Sequence, residues 1–251
     1  MESKGMTRRD LFRFTAASGV TAAVGLNLSE GGPGAAAADT STPDGALLAL
    51  MLGNLRFLSH NTTSFNEDQN LINTGVPESH NPFAAILSCA DARLSPEVIF
   101  DQVMGDLFIT RIAGNFASPE TIASLEYAVA VLNARLILVV GHGACGAMSA
   151  TDKRTVVPKT AISALYAPLR VAVEAAPPGA SVDAKARLNA TVQAALIQNS
   201  SALIAERVGA TPRTLRVVPA YYNLVPTPPG PPPGGPPNGQ VDFLPDFPLT
   251  P

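Results

Sequence analysis

The sequence has no basic cluster, no long apolar run and no tryptophan, and it has only two cysteines and three histidines in 251 residues. Each shortage rules something out. Lys and Arg number 17 against 20 Asp and Glu, for a net charge of −3, and the cations are scattered. That leaves no electrostatic footprint for a nucleic acid. The apolar stretch nearest the N-terminus, FTAASGVTAAVGL (14–26), falls short of the roughly 20 residues needed to span a bilayer. No cysteine lies near the small residues Ala35–Ala38, so a lipid-anchored N-terminus is excluded. What is abundant is apolar side chain, at 46%, enough for one sizeable core.

The first 38 residues are set apart from that core. Arg8 and Arg9 stand in tandem directly before Leu11 and Phe12, then comes the weakly apolar stretch, then small residues at 35–38. This order of basic, apolar and small segments resembles a twin-arginine export signal. An ordinary secretory signal or a basic tail is the plainer alternative. The reading implies a signal peptide over 1–38, an exported mature protein (periplasm, cell envelope or outside the cell) and a single domain over 39–251.

Along the mature chain, apolar residues recur at helical spacing over 44–60, through Leu47, Leu48, Met51, Leu52 and Leu55. A polar segment follows. Short apolar runs at 83–89, 106–114, 134–142 and 215–224 read as strands. Ser95-Pro96-Glu97 and Ser118-Pro119-Glu120 read as helix starts. Two further helical stretches cover roughly 157–175 and 181–208. Strands of continuous apolar residues separated by helices predict an α/β fold, a mostly parallel sheet flanked by helices. In such sheets the functional site lies beyond the carboxyl ends of the strands. The proline- and glycine-rich stretch 226–239 reads as an insertion between two strands, because QVDFL (240–244) alternates like a strand after it.

Both cysteines fall at such strand ends, each with metal-ligating company. Cys89 is followed by Asp91 and Arg93 at alternate positions, and His142 precedes Cys145 by three residues. Alternate residues of an extended segment point the same way, and zinc takes thiolate, imidazole and carboxylate ligands in a tetrahedron. A helix start after Cys145 would favour its thiolate. The competing readings are a Cys89–Cys145 disulfide, which an exported protein permits, and a loop histidine with no ligating role.

Together CADAR (89–93), FDQVMGDLFITRIAGN (100–115), SLEYAVAVLNARLILVVGHGACGA (124–147) and YYNL with GQVDFL toward the C-terminus resemble the β-class carbonic anhydrases. The resemblance implies one Zn²⁺ per subunit, held by Cys89, His142 and Cys145. It implies reversible hydration of CO2 to bicarbonate by a zinc-bound hydroxide. Asp91 can take the fourth metal position and close the site, and Arg93 holds it away. Backbone N–H groups near Gly146 would orient bicarbonate. His80 stands where the family usually has a glutamine near the substrate, and is expected to relay protons, to replace that glutamine as a donor, or merely to cap a loop. Tyr127 matches an aromatic that lines the pocket in relatives, though it could equally be a core tyrosine. The chain departs from the pattern at Ala92, usually serine, and the missing tryptophan counts against the branch with an allosteric bicarbonate pocket.

The resemblance also implies a homodimer or higher homo-oligomer, with the N-terminal helix packed on a neighbour. Two other functions stay open on the same residues. One is hydrolysis of carbonyl sulfide or carbon disulfide at the same zinc. The other is a non-catalytic zinc scaffold permanently closed by Asp91.

Overall fold

The computed structural model describes residues 38–75, 80–225 and 235–245. The stretch 1–37, nearly all of the expected signal, and residues 226–234 of the proline-rich segment lie outside them. Five strands form one sheet: β1 (Ala84–Ser88), β2 (Leu107–Arg111), β3 (Leu136–His142), β4 (Arg216–Tyr222) and β5 (Val241–Phe243), in the order β2-β1-β3-β4-β5. The first four run parallel and only β5 is antiparallel, pairing Tyr222 with Val241 and Ala220 with Phe243. The proline-rich segment falls in the chain between β4 and β5.

Strands β1, β3 and β4 are buried along their whole length, which explains the apolar runs Ala84–Leu87 and Leu136–Val140: both faces must be apolar. One face (Ala84, Ile86, Leu136, Leu138, Val140) packs against Leu47, Leu50 and Met51 of helix α1 (Pro43–Leu58). Thr42 caps that helix, its hydroxyl accepting from the Gly45 N–H, and Pro43 occupies the first turn. The other face (Ala85, Leu87, Ile137, Val139, Val217) packs against Leu125 and Val129, which belong to α4 (Pro119–Ala130), and Ala190, Ala194 and Ile197, which belong to α7 (Val182–Ser200).

The remaining helices are α2 (Ser64–Thr74), α3 (Pro96–Ile99), α5 (Gly146–Asp152), α6 (Tyr166–Ala175) and α8 (Ala202–Gly209). Helix α2 falls where the sequence reads only as polar, because none of its residues is buried and no apolar stripe marks it. The expected helix over 181–208 is two helices. Ser201 breaks from helical dihedrals, and its hydroxyl caps α8 by accepting from the Ile204 N–H. Helix α3 is one turn only, since Asp101 adopts φ +46° just beyond it.

Register places the site. Ser88 pairs with Arg111 on one side and Val140 on the other, so Cys89 emerges level with Gly141 and beside His142.

Candidate metal centre

Cys89 follows the last residue of β1, and its sulfur accepts the Gly114 N–H at 3.2 Å. Arg111, at the end of β2, steadies the same loop. Its Nε donates to the Cys89 carbonyl at 3.2 Å and its Nη2 to the Asp91 carbonyl at 2.7 Å. His142 closes β3 and is fully buried. The chain then turns through Gly143, where a Cβ would stand 2.3 Å from the Leu224 carbonyl oxygen, so only glycine fits. Ala144 follows in the left-handed region at φ +52°, which costs an alanine about 1–2 kcal/mol. Cys145 is the N-cap of α5.

These turns bring three ligands together. The sulfurs of Cys89 and Cys145 and a ring nitrogen of His142 all lie within 4.8 Å of one another, and all three residues are buried. Both cysteines are free. The His142 Nδ1–H donates to the Gly143 carbonyl at 2.9 Å, while its Nε2 is buried without a hydrogen-bond partner. That tautomer leaves a lone pair on Nε2 with nothing to accept, a costly arrangement unless a cation takes it. Two thiols and an orphaned imidazole nitrogen are a zinc donor set, so the residues fit the metal that the sequence implies. The two thiols differ in acidity, one drawn down and the other pushed up. Hydrogen bonding from Cys145, against the cost of burial and helped by the Gly114 N–H, draws the Cys89 thiol down to about 4. The Cys145 thiol is pushed up, because it donates to that thiolate and because it is buried.

Asp91 is not among the clustered ligand atoms. Its carboxylate is held in a fork by Arg93: Nε donates to Oδ1 at 2.9 Å and Nη2 to Oδ2 at 2.7 Å, with the Arg93 backbone N–H also on Oδ1 at 3.0 Å. Arg93 thereby holds the carboxyl well below the ordinary carboxylate range. The same Arg93 Nη2 reaches the Ala144 carbonyl at 3.4 Å.

Gly146 opens α5 beside Cys145; it is exposed, and nothing lies within 4 Å of where its Cβ would be. His80 and Tyr127 are not brought to the cluster within one chain. His80 is exposed ahead of β1, and the five residues of β1, about 16 Å of strand, separate its end of the sheet from Cys89. Tyr127 is 48% exposed on α4, its ring 6.1 Å from that of Phe108, near the start of edge strand β2. Sequence reasoning passed over Arg111, Gly114, Gly143, Ala144 and Asp183, whose carboxylate accepts the Ala144 N–H. Most of them act through backbone groups, which residue type does not reveal. A glycine pressed between two metal-type residues is the one signal that could have been read.

A doubly covered parallel sheet places the chain in the α/β class, with a buried Cys/His/Cys cluster at its carboxyl edge that could hold a metal ion. The family model for carbonic anhydrase matches residues 84–226, more than half of the chain. The chain belongs to that family, and its fold and site are those of the β class. Carbonic anhydrase 2 of Mycobacterium tuberculosis is 40% identical over 114 residues, 44% of this chain and 53% of the relative. A carbonic anhydrase of Mycolicibacterium smegmatis is 37% identical over 115 residues, 44% and 53% of the two chains. The matched stretch thus spans about half the length of these curated relatives. Among solved structures, a Coccomyxa β-carbonic anhydrase in complex with acetazolamide superposes with a TM-score of 0.56 at 28% identity, covering 71% of this chain and 78% of the other.

Proposed function

We propose that the protein is a zinc-dependent carbonic anhydrase that interconverts CO2 and bicarbonate. The observation that carries this is the buried Cys89/His142/Cys145 donor set beside a forked Asp91–Arg93 pair, in a chain of this family. Cys89, His142 and Cys145 would hold the metal. Zinc bound there supplies Lewis acidity, which brings ionisation of water toward the neutral range. The protein's own groups do the rest. The Gly143 carbonyl accepts a hydrogen bond from the Nδ1–H and so keeps His142 presenting Nε2. Cys89 and Cys145, as thiolates, offset the charge of the cation. Arg93 turns the Asp91 carboxylate toward itself and away from the three ligands, where it accepts a hydrogen bond from the attacking water instead of occupying its place. Backbone N–H groups at the start of α5, Gly146 first, orient the anionic product.

His80 and Tyr127 can line this pocket only if a second copy of the chain supplies them, which is consistent with a homodimer or larger assembly. Residues 1–38, through Arg8 and Arg9, would export the folded protein. No helix among the described residues is long and apolar enough to cross a membrane.

The test uses protein lacking residues 1–38, prepared with zinc. One zinc per chain, two thiols titratable only after denaturation and chelation, and CO2 hydration in stopped flow are expected. Carbonyl sulfide turnover without CO2 hydration would reassign the substrate. Bound zinc with neither activity would make the chain a scaffold.

A further inference from the structure

We propose that Asp183 is a positioning residue for the Asp91–Arg93 pair, acting through the peptide of Ala144; the inference rests on the function proposed above. Asp183 sits in the first turn of α7, outside every motif that marks the metal centre. Its Oδ1 accepts the Ala144 N–H at 2.9 Å. Ala144 stands between His142 and Cys145 in a left-handed conformation, φ +52°, that an alanine does not adopt without support. Its carbonyl oxygen takes the Arg93 Nη2 at 3.4 Å, and the same nitrogen is 2.7 Å from Asp91 Oδ2. The contacts form one line: Asp183 to Ala144, Ala144 to Arg93, Arg93 to Asp91.

The anchor of that line is rigid. Ser181 caps α7, its hydroxyl accepting the Ala184 N–H at 3.1 Å. One turn on, the Ala186 carbonyl oxygen lies 2.7 Å from where a Gly141 Cβ would be, so α7 is seated directly on β3 just ahead of His142. Asp183 thus ties the turn that carries two metal ligands to a helix already keyed to the sheet. When its carboxylate is removed, Ala144 is free to relax toward right-handed dihedrals, its carbonyl turns, and Arg93 loses its second acceptor. The fork on Asp91 then has only one anchor.

An acidic residue in the first turn of a helix is commonly there for the helix dipole, and the two roles separate by substitution. In Asp183→Asn the amide oxygen still accepts the Ala144 N–H but the charge is gone; in Asp183→Ala both are gone. The experiment measures amide hydrogen exchange at Ala144 by NMR in the zinc-loaded protein, along with zinc content and CO2 hydration. Asp183→Ala should speed exchange at Ala144 by about tenfold or more and lower kcat by roughly tenfold, with one zinc per chain retained. Asp183→Asn should restore both. Equal impairment in the two variants would assign the residue to helix charge and overturn the proposal. So would Asp183→Ala protein with parental exchange, or with altered exchange and parental kcat. A parent protein that exchanges slowly at Ala144 yet hydrates no CO2 would instead refute the proposed function.

Discussion

Arg93 grips Asp91 through two guanidinium nitrogens at 2.9 and 2.7 Å, while 46% of its own side chain remains in water. An ion pair so exposed contributes little to folding, which makes its geometry the informative property. Arg93→Ala should leave the unfolding midpoint and the zinc content near parental values and lower CO2 hydration by about a hundredfold, because the freed carboxylate can turn to the metal position. Near-normal turnover would remove the gating role from Arg93. In the parent protein the depressed pKa of Asp91 keeps it ionised and paired with Arg93 at neutral pH, and the pairing is lost only as pH falls through that depressed value. The thiols give a second check at this scale. With Cys89 drawn down to about 4 and Cys145 pushed up, the zinc-free protein should show one thiolate per chain by ultraviolet absorbance between about pH 5 and pH 8. Two thiolates, or none, at neutral pH would contradict that split.

The junction between β3 and α5 is the element that makes the centre. It passes from strand to helix in three residues, and two of them are under backbone constraint: Gly143 by the Leu224 carbonyl, 2.3 Å from a would-be Cβ, and Ala144 by its positive φ. Gly143→Ala should therefore displace the turn and lower zinc affinity, read by chelator competition. Gly146→Ala, where a Cβ meets nothing within 4 Å, should keep both zinc and thermal stability. Equal zinc affinity in the two variants would show that the close approach at Gly143 does not shape the centre. Burial accounts for part of what was legible in the sequence. Strand β3 is buried at every position and reads as an apolar run. Helix α2 buries nothing and leaves no pattern. Helix α5 is too short for periodicity to register, although the residue that caps it, Cys145, belongs to the site.

At the scale of the molecule, α2 exposes Phe65 and Ile72, 70% and 57% accessible, and Tyr127 is half exposed on α4. These exposed apolar side chains are candidates for a surface covered on self-association. Sedimentation of the protein without residues 1–38 should give a mass at least twice that of the single chain. A monomer with full CO2 hydration would detach His80 and Tyr127 from the pocket. Export belongs to the same scale. Replacing Arg8 and Arg9 together by Lys should hold the precursor inside the cell, and unchanged secretion would make the N-terminus something other than a twin-arginine signal.

The residues by themselves determined the chemistry and the class of fold. Two cysteines, each paired with a metal-type neighbour and set at the end of an apolar run, suffice for the donor set, because ligand type and strand ends are local properties. Composition determined the parallel sheet for the same reason, since both of its faces must be apolar. Tertiary structure alone decided that Asp91 faces Arg93 rather than the cluster, that His80 and Tyr127 lie away from it, and that Asp183 reaches Ala144 from α7. Those outcomes depend on strand register, on a carbonyl pressed against Gly143 and on a reversed φ at Ala144. They arise between segments far apart in the chain, where no periodicity or spacing records them.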